Sequence, residues 1–322
     1  MDTFLIIDGN AILYRAYHAI PMLTKSDGSP VNAIYGFLGM LLTLIQEQKP
    51  AYIAVAFDRS KPTIRQSMYA GYHQHRPPME NELSSQVPRL EELLVTFGIP
   101  LFYSDGYEGD DMIGTLATQA VKEKIDVLVV TGDRDMLQLV NPHVRVLMPI
   151  LGITKTVIFD EKAVEEKYGV KSEQFVDYKA LIGDQSDGYP GVNGIGPKTA
   201  ATLLQKYKTF ENIYEHLPEL SERQQLLFAQ DAEQAALAKK LATIICDAPI
   251  TFHKDACEVK NLHISDLREA FKKYEFNTLL RKLEVVFPQV TSVSVGVAQD
   301  KSSTQGKEEK KKEENKDQLP LI

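Results

Sequence analysis

The chain has little cysteine, no long apolar run and no surplus of positive charge. Its two cysteines, Cys246 and Cys257, have neither metal-ligand spacing nor the density of a disulfide framework, which excludes a thiolate zinc site and a disulfide-stapled fold. No stretch approaches the ~20 apolar residues of a membrane-spanning helix. No Met-basic-apolar leader opens the sequence either, so a cytoplasmic protein without membrane contact, in the nucleoid if it meets DNA, is expected. A formal net charge of -8 argues against a generally basic surface, although acids gathered in one site can mask basic patches elsewhere. Walker A loops, G-x-S-x-G elbows, dinucleotide fingerprints and internal repeats are also missing.

What is present is a globular composition. With 43% hydrophobic and 25% charged residues over 322 positions, the chain can fill one large or two modest domains. FLIID (4–8), AYIAVAFD (51–58) and IDVLVVTGD (125–133) are short runs of β-formers, each ending in aspartate. Amphipathic helical stretches lie near 33–48, 82–97 and 109–123. The alternation predicts an α/β fold with a central, mainly parallel sheet flanked by helices, whose sites form at the carboxyl ends of strands. Asp8, Asp58 and Asp133 stand at those ends. VRVLMP (144–149) and TVIFD (156–160) read as further strands, helices follow from about 161 to 287, and from Val290 a Ser-, Lys- and Glu-rich tail is expected to be disordered.

YEGDDMIGTLA opens a helix whose first turn carries Glu108, Asp110 and Asp111. One acid there caps free N–H groups and favours the helix dipole. Three crowd one another, since two charges about 4 Å apart repel by roughly 4 kcal/mol at a protein-like dielectric. Asp8, Asp58, Asp133, Asp135, Asp184 and Asp187 join them on one predicted rim, and none of these acids has a lysine four residues away. Any one is explained as a helix cap; the set is better explained by hard divalent cations. All-oxygen ligation selects Mg²⁺ or Mn²⁺ over zinc, and GDRDMLQLV lacks the glycine and terminal glutamate of an EF-hand. Two such ions about 4 Å apart could clamp the attacking and leaving oxygens of a phosphodiester. A pair of glycosidase carboxylates would leave most of these acids unused.

GVNGIGPKTAATLL places Gly191, Gly194 and Gly196 in a tight turn that opens onto a helix, with Lys198 and Thr199 at its start. Such a turn aims backbone N–H groups at a phosphate, and the whole string matches the helix-hairpin-helix type of DNA binder. RSKPTIRQSMYAGYHQHRPPM interleaves Arg59, Lys61, Arg65 and Arg76 with Tyr69 and Tyr72. Cations for phosphates and rings for stacking suit a single strand; the other reading is a solvated loop with its tyrosines tucked inward.

In order, IIDGNAILYRAYHAI, AFDRSKPTIRQSMYAGYHQHRPPM, YEGDDMIGTLA, VTGDRDMLQLV and LIGDQSDGYPGVNGIGPKTAATLL resemble the successive motifs of the 5′→3′ exonuclease domain of bacterial DNA polymerase I, within the flap endonuclease superfamily. The likeness runs from about residue 4 to about 285. It implies a PIN-like or resolvase-like nuclease core over 1–175, with a helical arch over about 59–98, and a helix-hairpin-helix domain over 176–288. Residues 289–322 would be a charged tail. It implies a monomeric, structure-specific 5′ nuclease using two Mg²⁺ (or Mn²⁺) on DNA with a 5′ flap or nick and on RNA-DNA primer junctions, in primer removal and repair. Asp8, Asp58, Glu108 and Asp110 would lean toward one ion, Asp133, Asp135 and Asp187 toward the other, with Asp111 and Asp184 shared or behind them. Arg15, Arg65 and Arg76 would hold phosphates, and K⁺ would sit at the turn around Gly194 and Gly196.

The chain departs from that pattern at three places. Gly109 stands where the family usually has Ala, Gly188-Tyr189 where it has Asn-Ile, and His73 where it has Lys. The last exchanges a permanent cation beside the scissile phosphate for an imidazole, which is mostly neutral at physiological pH. No polymerase stretch follows, so either a free-standing nuclease or a fragment of a longer polymerase is expected. The final Gln318, Leu319, Leu321 and Ile322 resemble the short Gln-Leu-x-Leu-Phe peptides that grip the bacterial sliding clamp. A DNA-junction binder with weak catalysis and a related-fold ribonuclease remain the alternatives; the number of acids disfavours the first, the helix-hairpin-helix the second.

Overall fold

The computed structural model of the chain describes residues 2–59, 62–152 and 155–288. Strand β1 (Thr3–Asp8) is buried on both faces, Phe4 and Ile6 joining one apolar cluster while Leu5 and Ile7 join the other. That two-residue period is the pleat of a strand with helices above and below it. The chain passes through α1 (Gly9–Ala19) and α2 (Asn32–Gln48) to β2 (Tyr52–Ala56), then through α3 (Ile64–Met68), α4 (Asn81–Ser84) and α5 (Val87–Thr96) to the short β3 (Leu101–Phe102). Helix α6 (Gly109–Lys122) leads to β4 (Asp126–Val130), and β5 (Val144–Leu151) and β6 (Lys155–Phe159) complete the sheet.

The strand order is β3-β2-β1-β4-β5-β6, parallel throughout except for the antiparallel edge strand β6. Winding proceeds outward from β1 to β3 and then resumes on the other side at β4. A crevice therefore opens at the carboxyl ends of β1 and β4, where helices leave in opposite directions. Asp8 ends β1 and Asp133 follows β4, so both face it.

The second half is helical, as expected. It comprises α7 (Glu161–Tyr168), α8 (Phe175–Ile182), a two-residue ladder of β7 (Gly183–Asp184) with β8 (Tyr189–Pro190), and then α9 (Pro197–Tyr207), α10 (Phe210–Glu215), α11 (Glu222–Gln230) and α12 (Ala232–Ala242). Phe175, Leu204 and Phe228 share an apolar cluster with Phe4 of β1 and Met112 of α6, so this half is welded to one face of the sheet. The last helices, α13 (Ile264–Lys273) and α14 (Asn277–Val286), do not stay with it. Leu267, Phe271, Leu279 and Leu283 pack with Phe37 and Leu41 of α2 and Leu94 of α5 on the opposite face. The expected helical domain over 176–288 thus sends its last two helices back to the nuclease core, where their apolar stripes are buried against α2 and α5.

Helix covers about half of the described residues in the segment expected as an arch, in α3, α4 and α5. Between the five-residue α3 and the four-residue α4, residues 69–80 run as turns and extended chain, consistent with Gly71 and the Pro77-Pro78 pair. Lys61 lies outside the described residues, as do Gln318, Leu319, Leu321, Ile322 and the rest of the tail. No helix among the described residues is long and apolar enough to cross a membrane.

Candidate metal centre and nucleic-acid cleft

The acids of the rim fall into three groups, distinguished by what donates to them. Asp8, Asp58, Asp110 and Asp133 form the first. Asp8 caps α1 through Ala11 N–H at 2.9 Å and accepts the Thr131 hydroxyl at 2.6 Å. Asp58 accepts Gly109 N–H at 2.7 Å, which ties the end of β2 to the start of α6. Burial raises Asp8 to about 7 against those hydrogen bonds, and the charges of Asp58 and Asp133 add to the rise. Asp110, half-buried by area but walled in by the cleft, is pushed well above the usual carboxylate range by burial and then by Asp133, Asp8, Asp58 and Glu108. Asp133 is raised by burial despite the 2.8 Å hydrogen bond from Asp135 N–H. Mutual repulsion is thus left standing among Asp8, Asp110 and Asp133 in the crevice, with the exposed Asp58 at its edge.

Glu108 and Asp111 form the second group, and here Arg65 answers the charge. Its Nη1 and Nη2 donate to Asp111 at 2.9 and 2.8 Å, and Nη1 also reaches Glu108 at 3.2 Å. The remaining guanidinium donors go to the carbonyls of Leu241 at 2.9 Å and Thr243 at 2.7 Å. Arg65 is only 4% exposed, so the phosphate contact expected of it is not available: the fork is wholly engaged inside the protein. Asp111, 1% exposed, also accepts Ile245 N–H at 2.9 Å and Glu108 N–H at 3.0 Å, which makes it a junction between α3, α6 and the chain after α12 rather than an ion ligand. Glu108 further accepts the hydroxyls of Thr63 at 2.8 Å and Tyr72 at 3.1 Å.

Asp135, Asp184 and Asp187 are the third group. Each offers a carboxylate oxygen, and these oxygens lie within 4.8 Å of one another. Burial and the Asp133 charge raise Asp135 to about 7 even though Lys179 Nζ stands 2.6 Å away. Asp184 is half-buried, and against the desolvation that would raise it, hydrogen bonding and charge from Lys179 hold it below the usual range. Its other oxygen accepts Ser186 N–H at 2.7 Å and Asp187 N–H at 3.2 Å, so Asp184 winds the turn that presents Asp187 and has no oxygen left without a donor. Asp187 receives Arg76 at 3.0 Å and lies 3.1 Å from His73 Nε2.

The all-oxygen donor set and the raised proton affinities fit hard divalent ions, whose charge would offset the repulsion of the first group. The clustering of Asp135, Asp184 and Asp187, with Asp8, Asp110 and Asp133 crowding one another nearby, supports divalent metal use.

The basic residues divide in the same way. Arg76 is half-exposed at the cleft, Arg59 is exposed and stacks over Tyr103, and Arg15 lies across Gly132 beside Asp133. Tyr72, expected to stack on a single strand, is 6% exposed and lies between His73 and Tyr189; Tyr69 packs into the same small cluster. The inward reading of these tyrosines is the one observed. Gly194 adopts φ +77° in the turn before α9, and Gly196, Lys198 and Asn193 are exposed there while Gly191 is buried and Thr199 half-buried.

The departures also acquire reasons. A Cβ on Gly109 would stand 3.3 Å from Asp58 Oδ1, close but tolerable. Gly188 takes φ +81°, a conformation open to Gly and Asn, and a Cβ there would come within 2.8 Å of the Gly71 carbonyl. Glycine therefore lets the 183–190 loop meet the segment after α3, where His73 N–H donates to the Asp187 carbonyl at 2.9 Å. Sequence reasoning missed Lys179 and Thr131; a lysine in the middle of the otherwise mostly apolar FVDYKALI was the available signal for the first.

Residues 3–169 match the family described as 5′-3′ exonuclease, N-terminal resolvase-like domain, and residues 170–265 match 5′-3′ exonuclease, C-terminal SAM fold. The chain is 35% identical over 295 residues to a 5′-3′ exonuclease of Aquifex aeolicus, covering 92% of this chain and 100% of that one. It is 41% identical over 281 residues to DNA polymerase I of Caldicellulosiruptor bescii, covering 87% of this chain and 33% of the polymerase, and so spans about a third of that protein's length. The bacteriophage T5 D15 protein co-crystallised with metal ions has the same fold, with a TM-score of 0.63 at 17% identity over 89% of this chain and 98% of that one. The catalytic core of Rad2 in complex with DNA substrate gives 0.54 at 14% identity over 90% and 93%. A mostly parallel sheet flanked by helices and a C-terminal SAM-like helical domain make up the T5 exonuclease and flap nuclease fold, and on these matches the chain belongs to the 5′-3′ exonuclease family.

Proposed function

We propose that the chain is a structure-specific 5′ nuclease that hydrolyses DNA phosphodiesters at a 5′ flap or nick and at RNA-DNA primer junctions, as a cytoplasmic monomer serving primer removal and repair. The observation that carries this reading is the convergence of Asp8, Asp58, Asp110 and Asp133 at the crevice between β1 and β4, with Asp135 and Asp187 beside them. A pure DNA binder gains nothing from carboxylates that repel phosphates.

Asp8, Asp58, Asp110 and Asp133 would hold one Mg²⁺ and Asp133, Asp135 and Asp187 the other. Bound there, the ions would supply Lewis-acid polarisation of a phosphate oxygen and a more acidic water. The protein's own groups do the rest. Arg76, half-exposed beside Asp187, and His73 face the cleft where a scissile phosphate would lie, and Arg15 flanks the same floor across Gly132. Lys198 and the free N–H groups at the start of α9 hold the duplex backbone, with K⁺ at the Gly191–Gly196 turn. The peptide Gln318–Ile322 docks on the bacterial sliding clamp; its deletion would abolish clamp pull-down and spare cleavage of free flaps.

Labelled 5′-flap DNA, single-stranded RNA and blunt duplex, each with Mg²⁺ and with EDTA, test the reading. Cleavage of the flap near its junction in Mg²⁺ alone is expected. Binding without cleavage, or preference for the RNA, would replace it with a junction binder or a ribonuclease.

A further inference from the structure

Cations of the protein are distributed unevenly over the rim. Lys179 projects from the middle of α8, whose Phe175, Tyr178, Ala180 and Leu181 are buried, and it is itself only 8% exposed. Its ammonium contacts two of the three clustered carboxylates, 2.6 Å from Asp135 Oδ1 and also against Asp184 Oδ2. By contrast, no Lys or Arg nitrogen among the described residues pairs with Asp8, Asp110 or Asp133. Lys179 is buried on a helix that packs against α9 and α12 and is held by two carboxylates, so its charge is fixed at that end of the site.

A divalent ion near Asp135 and Asp187 must share their field with this resident monocation, whereas an ion near Asp8 and Asp110 meets uncompensated charge. We propose that Lys179 is a positioning residue that keeps the Asp135–Asp187 position weak for divalent ions, so that it fills when the phosphates of bound DNA add their own negative charge. The proposal rests on the two-ion reading above. It makes the second ion a consequence of substrate binding and limits idle ion occupancy at that end of the cleft.

Mn²⁺ titrations of the full chain followed by electron paramagnetic resonance, with and without a nicked duplex, test it without reference to turnover. The wild-type chain is expected to bind one Mn²⁺ tightly and a second weakly, the second tightening at least about tenfold when the duplex is added. In Lys179→Met the second Mn²⁺ is expected to bind at least about tenfold more tightly without DNA, and Lys179→Arg to restore the wild-type pattern. Should Lys179→Met fail to fold, Lys179→Gln removes the charge while keeping a donor and is expected to show the same tightening. A purely structural lysine would give weaker or unchanged Mn²⁺ binding in these variants, and that result overturns the proposal while leaving two ions in place. A wild-type chain that takes up a single Mn²⁺ with and without duplex overturns the two-ion reading and this proposal together.

Discussion

Asp110 and Asp111 are adjacent at the start of α6 and have opposite fates. Asp111 is sealed into the protein with both oxygens on Arg65, while Asp110 faces Asp133, Asp8 and Asp58 with its proton affinity driven up. The crowding of acids in that turn therefore has two answers: a cation of the protein neutralises one part, and the other part is left charged for ions from solution. Two carboxylates of one type, a residue apart, are sorted by whether a guanidinium happens to face them.

Four perturbations break or sharpen that contrast. The largest effect is expected from Asp133→Ala in the uncompensated group: flap cleavage should fall by roughly three orders of magnitude. Thermal unfolding of the same variant should occur at the same or a higher temperature, because a repulsive charge has been removed. A melting temperature that drops would place Asp133 with the structural acids instead.

Arg65→Met addresses the compensated group. Breaking a buried pair from one side leaves Asp111 and Glu108 unpaired and should cost about 3–5 kcal/mol in urea unfolding. Unchanged stability accompanied by weaker DNA binding would mean that Arg65 holds phosphates after all.

Removal of metal should make stability pH-dependent in an unusual direction. Asp8 and Asp135 are both raised to about 7 by burial, so the folded chain keeps protons that the unfolded chain has already released. The folded state therefore binds more protons between about pH 4 and pH 7, and stability falls as pH rises through that window. In chelator, the melting temperature should drop by roughly 5 °C or more from pH 5 to pH 8, with millimolar Mn²⁺ reversing the loss at pH 8. A melting temperature that rises with pH in chelator would contradict these raised affinities.

The smallest effect is expected at His73. Its backbone is anchored at φ +58° by the Asp187 carbonyl and its ring stacks on Tyr72, so a lysine there changes the charge more than the geometry. His73→Lys should raise cleavage a few-fold above pH 8; an unaltered rate profile across pH would show the position to be indifferent.

Much of the architecture was legible because its signals are local. FLII, YIAVA and VLVV are short, continuous runs rich in β-formers that suit a buried strand, and each precedes an acid that the parallel sheet delivers to one rim. The GVNGIGPK turn was equally plain. Arg65 was misread because nothing near it in sequence announces its partners: they lie 43 to 178 residues away. That residues 69–80 interrupt the helices of the arch, and that α13 and α14 pack on α2 and α5, was not legible, for related reasons. Turn chemistry around Gly71 and Pro77-Pro78 overrides helix propensity, and an amphipathic stripe says that a face is buried but not against what.

By itself the sequence determined that acids would gather at the carboxyl edge of a parallel sheet and that a glycine-rich turn would open a later helix, because strand period, winding and turn chemistry are set by neighbouring residues. Tertiary structure alone decided which of them would be silenced. Arg65 reaches Asp111, and Lys179 reaches Asp135, only after segments distant in sequence have packed, and desolvation at that moment makes the pairing of each acid, rather than its presence, the quantity that counts.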